Sequence, residues 1–149
     1  MAKILFLHGL ESKPGGKKPA HLRKHGHSVL NPALPKESFE ESMKIAQNLV
    51  NTERPDFVVG SSRGGAVAVG LETDANVVLI APAWKTHGPG IRKISQCVIL
   101  HAPEDKIVPF EDSADFLRTG DLLVSCGIDH RMNDKHALTA LADVINEYF

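Results

Sequence analysis

A chain of 149 residues with 42% hydrophobic side chains has the apolar material for one core and little left for a second, so residues 1–149 read as a single domain. With 17 basic against 18 acidic residues the net charge is -1, which gives no electrostatic pull toward nucleic acid or an anionic membrane, and neither is expected as a partner. The first apolar run, Ile4-Leu5-Phe6-Leu7, is too short for a signal segment or a membrane span, so a cytoplasmic location is expected.

In chain order, Lys3 to Leu7 reads as a strand buried on both faces, closed by His8-Gly9. The run Glu11-Ser12-Lys13-Pro14-Gly15-Gly16 reads as a loop, and a helix with a thin apolar face follows from Pro19 to Lys24, stopped by Gly26. Ser28-Val29-Leu30-Asn31 is a second strand. Ser38-Phe39-Glu40-Glu41 has the form of a capping box, and Met43, Ala46, Leu49 and Val50 continue at helical spacing. Asp56 to Gly60 is the third strand, Ser62 to about Leu71 a helix, and Val77 to Ile80 a fourth strand. Residues 81–95 are broken by prolines and glycines into loop. Cys97 to Leu100 and Leu122 to Val124 are strands five and six, with a helix from Phe110 to Arg118 between them. Leu138, Leu141, Ala142 and Ile145 mark a closing amphipathic helix. Cys97 and Cys126 fall at opposite ends of their strands, so no disulfide is expected. Strands alternating with helices predict an α/β fold, a three-layer α/β/α sandwich around a parallel sheet, with function gathered where loops leave the carboxyl ends of the strands.

The most informative stretch is Val58-Val59-Gly60-Ser61-Ser62-Arg63-Gly64-Gly65. Its Gly-x-Ser-x-Gly spacing, centred on Ser62, suits a strand that turns sharply into a helix, with glycines supplying room two residues either side of a strained serine. Such spacing also occurs by chance in ordinary turns. Ser62 does not stand alone, however. The loop after strand one carries His8-Gly9-Leu10, that after strand five His101-Ala102-Pro103-Glu104-Asp105-Lys106-Ile107-Val108-Pro109, and that after strand six Gly127-Ile128-Asp129-His130. A serine, an acid and a histidine thus meet in chain order at one edge of the sheet, the set that nucleophilic catalysis by a hydroxyl requires.

With these residues the sequence resembles a small member of the α/β-hydrolase family. Leu5-Phe6-Leu7-His8-Gly9-Leu10 is similar to that family's oxyanion-loop strand, Gly60-Ser61-Ser62-Arg63-Gly64-Gly65 to its nucleophile elbow, Asp105-Lys106-Ile107-Val108-Pro109 to its acid loop and Gly127-Ile128-Asp129-His130 to its histidine loop. The resemblance implies a minimal α/β-hydrolase fold, six parallel strands in the order 2-1-3-4-5-6. Against larger relatives, the two leading antiparallel strands and a full cap domain are expected to be absent. It implies Ser62 as nucleophile, His130 as base and Asp105 as the acid that orients it, with the backbone N–H groups of Leu10 and Arg63 as oxyanion hole. Glu104, Glu111 and Asp112 compete with Asp105, but only Asp105 fits the Asp-x-x-Val-Pro pattern. His136 competes with His130, but it falls at the start of a helix. His8 and His101 resemble structural histidines. The expected substrate is a small-molecule ester cleaved through an acyl-enzyme, with thioester or amide substrates open to the same machinery. A catalytically lapsed scaffold that binds without turnover is the alternative. No metal or cofactor is expected, since His21, His25, His27 and His87 lack metal-ligand spacing. Trp84, the only tryptophan, is either a packing residue or a pocket wall, and without a cap the site is expected to be shallow and open.

Overall fold

The structure is a computed structural model and describes residues 1–10, 12–88, 90 and 94–148. Strands β1 (Lys3–Leu7), β2 (Ser28–Leu30), β3 (Phe57–Ser61), β4 (Asn76–Ile80), β5 (Cys97–His101) and β6 (Leu122–Ser125) form one parallel sheet in the order β2-β1-β3-β4-β5-β6, the order that the resemblance implies. The helices are α1 (Lys17–Lys24), α2 (Phe39–Glu53), α3 (Arg63–Val69), α4 (Phe110–Phe116) and α5 (Lys135–Asp143), the last running into a π-helical turn, Val144–Tyr148. Glu11, Pro89 and residues 91–93, all read from the sequence as loop, lie outside the described residues.

The period-two alternation of a strand divides the core. Leu5 and Leu7 of β1 face the layer of α2, α3 and α4 together with Ala46, Val67 and Phe116, whereas Ile4 and Phe6 face α1 and α5 with Leu22 and Leu141. Both faces are covered, which is why β1, β3, β4 and β5 are apolar along nearly their whole length. The two edge strands are the short, partly exposed ones. Because β1 is followed by α1 on one face and β3 by α3 on the other, the chain leaves adjacent strands in opposite directions. The crevice this opens at their carboxyl ends holds the residues singled out above.

Local chemistry moves some boundaries. Ser38 Oγ accepts from the Glu41 N–H at 3.1 Å, capping α2, but the Ser38 N–H donates to the Pro35 carbonyl, so the capping box closes on one side only. Helix α4 ends at Phe116, two residues short of the predicted Arg118. There Asp121 accepts from the Arg118 backbone N–H at 2.9 Å and from Arg118 Nε at 2.8 Å, which draws Arg118 into a turn. Helix α1 begins at Lys17, earlier than predicted. Pro19 sits in its first turn, where a missing N–H costs no hydrogen bond.

Packing is close at the turn from β3 into α3. A Cβ on Gly60 would collide with the carbonyl of Gly64, and one on Gly64 with the carbonyls of Leu7 and His8. The helix therefore lies with its first turn directly on β1 and β3. Ser62, between them, takes φ 56° and ψ -116°, a conformation strained for any residue with a side chain. Its N–H donates to the Ile80 carbonyl at 2.8 Å, and its own carbonyl accepts from Gly65, at 2.9 Å, and from Ala66 and Ala83, which holds the strain in place. Glycine accepts such angles freely. Relief of about 1–3 kcal/mol of strain, less about 0.5–1 kcal/mol of extra chain entropy, makes Ser62→Gly more stable than Ser62→Ala by about 1 kcal/mol. Urea unfolding of the two variants checks this, and an Ala variant equal to or above the Gly variant would show that the turn is unstrained.

Candidate active site

The structure brings Ser62, His130 and Asp105 together from three loops. Ser62 Oγ stands 2.9 Å from His130 Nε2, and His130 Nδ1 stands 2.7 Å from Asp105 Oδ2, although 68 and 25 residues separate the pairs in sequence. A carboxylate facing Nδ1 fixes the imidazole proton on that nitrogen, which leaves Nε2 to accept from the serine hydroxyl. His130 is partly open to solvent, with 21% of its side chain exposed, while the Asp105 side chain is fully buried. His136 is exposed on α5 and Glu104 is exposed beside Asp105.

Asp105 is the most heavily engaged group of the three. Oδ1 accepts from the backbone N–H groups of Ile107 and Val108, each at 2.8 Å, and Oδ2 from His130 and from His101 Nε2 at 3.1 Å. Burial alone raises the pKa of this carboxyl. The His130 hydrogen bond, then the Val108 and Ile107 N–H groups, outweigh burial and hold it below the ordinary aspartate range. It therefore stays ionised inside the protein.

His101, expected from the resemblance as a structural histidine, makes contacts that its sequence neighbours do not specify. Fully buried at the end of β5, it donates from Nε2 to Asp105 and to the Val108 carbonyl at 3.0 Å, and its Nδ1 meets Ser113 Oγ at 2.7 Å. The acid loop is thereby tied to α4. The available signal was its i, i-4 spacing from Asp105, which points to no particular contact in a loop. His8, likewise buried, donates from Nδ1 to the Gly9 carbonyl at 2.8 Å and accepts the Leu34 N–H at Nε2, 3.0 Å away, so it pins the loop after β1.

Leu10 and Arg63 both line the cavity in front of Ser62. The Arg63 N–H occupies the first position of α3, where no carbonyl of the helix can accept it, and the positive end of the helix lies at the same place. The Arg63 side chain runs the other way. Its Nη1 donates to Ser42 Oγ at 3.3 Å, its Nη2 to the Pro35 carbonyl at 3.0 Å, and its guanidinium lies 5.4 Å from the centre of the Phe39 ring. Trp84 packs edge-on against Phe116, with ring centres 5.4 Å apart, and donates from Nε1 to the Asp112 carbonyl at 2.8 Å. Its neighbours Ala83 and Lys85 line the cavity, whereas Trp84 supports that wall from the core side.

The cavity has a volume of about 710 Å³, with Leu10, Ala83, Ile107, Val108 and Pro109 as its apolar surface. That size falls in the range of small-molecule pockets, about 300–1,000 Å³. Its walls come from loops after every central strand. Among the described residues no group of three His, Cys, Asp or Glu side chains is arranged to hold a metal ion, and no helix is long and apolar enough to cross a membrane.

No protein-family model matches the chain, and no curated protein sequence does. Solved structures do. The esterase domain of a Rhodothermus marinus protein superposes with a TM-score of 0.72 at 19% identity, covering 99% of this chain and 85% of that one. Alpha/beta hydrolase domain-containing protein 10 from mouse gives 0.76 at 17% identity, with 98% and 88% covered. The ydeN gene product of B. subtilis gives 0.74 at 12% identity, with 100% and 99% covered, so a protein of the same extent shares the whole architecture. Sheet order, elbow and superpositions agree: this chain has the α/β-hydrolase fold, in a minimal six-stranded form.

Proposed function

We propose that the protein is a serine hydrolase of the α/β-hydrolase family that cleaves small carboxylic esters through an acyl-enzyme intermediate. The observation that carries this reading is the continuous hydrogen-bonded line from Ser62 Oγ through His130 to the ionised Asp105, at a strained turn that opens onto a cavity. In the first step Ser62 Oγ attacks the ester carbonyl carbon while its proton passes to His130 Nε2. The resulting oxyanion is held by the backbone N–H groups of Leu10 and Arg63. Collapse of the tetrahedral intermediate breaks the bond to the alcohol, which takes the proton from His130 as it leaves. A water molecule, deprotonated by the same nitrogen, then releases the acid and restores Ser62. Asp105 keeps its charge throughout and stabilises the imidazolium. Thioesters and amides would enter the same cycle with a different leaving group.

Substitution tests each role with p-nitrophenyl acetate as substrate. Ser62→Ala and His130→Ala are each expected to lower kcat by about 10³-fold or more with the fold retained, whereas His136→Ala leaves it within about twofold. Asp105→Asn is expected to lower kcat by a similar factor, because an amide holds the wrong tautomer and cannot stabilise the imidazolium, while Glu104→Gln serves as the control. Activity that survives Ser62→Ala, or a loss confined to His136 or Glu104, would remove the corresponding assignment.

The apolar surface of the cavity is limited, and only residues 81–96 lie between β4 and β5, where a cap would be inserted. Each methylene that finds no apolar wall forgoes about 0.8 kcal/mol. Among neutral esters, kcat/KM is therefore expected to be higher for acetyl and butyryl groups than for dodecanoyl. A profile measured below micelle-forming concentrations that climbs steadily with chain length would contradict this.

A further inference from the structure

The charge around the Ser62 cavity is unbalanced. Among the described residues, three cationic side chains that are not turned away from it, Lys18, Lys85 and Arg131, line it with a single carboxylate, Asp112. That carboxylate is already committed, since Lys85 Nζ lies 3.4 Å from Asp112 and 2.6 Å from Asp115. Among the described residues, Lys18, Arg63 and Arg131 have no carboxylate within ion-pair distance. A narrower recess of about 60 Å³ shares Gly9, Ser12, Lys18 and Asn133 with the main cavity and adds Lys13 and Lys17, again without a described carboxylate in its walls. In a protein with a net charge of -1, such a concentration is local to this site.

Lys18 is the cation best placed to use it. Two of its three N–H donors go to uncharged oxygens, the Arg131 carbonyl at 2.7 Å and Asn133 Oδ1 at 2.9 Å, which fixes the ammonium beside the loop that carries His130. Burial pulls its pKa down to about 8, and the charge of Asp129, acting from beyond ion-pair distance, offsets this only in part. The charge of Arg63 also reaches the cavity. It adds to burial in lowering the pKa of His87, another residue of the lining, and Glu37 counters it from a distance. An anion entering here would gain a charge-assisted hydrogen bond and the field of the other cations at once.

We propose that the substrate of this site is a monoanionic ester, its carboxylate held by Lys18 at the recess while its ester carbonyl meets Ser62. The inference rests on the ester-hydrolase reading for what Ser62 does and adds the class of substrate. Its test is binding rather than turnover. Isothermal titration of the Ser62→Ala protein with monomethyl glutarate and with dimethyl glutarate compares an anionic with a neutral ester of the same chain. The monoanion is expected to bind about tenfold or more tightly at low salt, with the preference shrinking as ionic strength rises. Lys18→Gln is expected to erase the preference, and Lys18→Arg, which keeps the charge, to retain much of it. Equal or weaker binding of the monoanion, no measurable binding of it at millimolar concentration, or a preference that persists in a folded Lys18→Gln protein would overturn the proposal. Because the nucleophile is absent from the protein titrated, a failure here leaves the serine-hydrolase reading standing, and a failure of that reading shows instead in the activity assays.

Discussion

The contact between the first turn of α3 and the carbonyls at the end of β1 is the constraint on which the rest of this site depends. Gly60 and Gly64 let two backbones approach to a distance that no side chain permits. That approach forces the chain through φ 56° at Ser62 and leaves the N–H at the start of α3 without a helical acceptor, in front of the serine hydroxyl. Leu10, in the loop after β1, lines the same cavity as the hydroxyl. Hydroxyl, donor and cavity are consequences of one packing decision.

The remaining groups are held by a second device, a buried carboxylate satisfied on every side. Asp105 takes two backbone N–H groups and two imidazoles, so the cost of burying its charge is met by donors that each come from a fixed element. One of those imidazoles, His101, is anchored to α4 through Ser113. On the far side, Lys18 of α1 grips the backbone just after His130. The imidazole that meets Ser62 is thus positioned from both layers of the sandwich. Little rearrangement is left to make when a substrate arrives.

Much of this was legible because it is local. A strand buried on both faces is a continuous apolar run, and β1, β3, β4 and β5 are such runs. The elbow is five residues whose spacing follows from sterics alone. What escaped is what only three-dimensional contact creates. Nothing near Arg63 in sequence indicates that its guanidinium would meet Ser42 and Pro35, and nothing near Trp84 decides between core and cavity until Phe116 closes against it. The three cations of the cavity come from α1, the loop after β4 and the loop after β6, each unremarkable alone. The end of α4 was missed for a related reason: Gly120 is the visible stop signal, but the Arg118–Asp121 pairing acts before it.

The central claim is that Ser62 is a nucleophile activated by its neighbours, and covalent trapping tests it most directly. Incubation with a fluorophosphonate, followed by intact-mass measurement and peptide mapping, is expected to give one adduct per chain, on Ser62, formed far more slowly in a His130→Ala variant. A folded protein that stays unlabelled, or an adduct on any other residue, would contradict the claim.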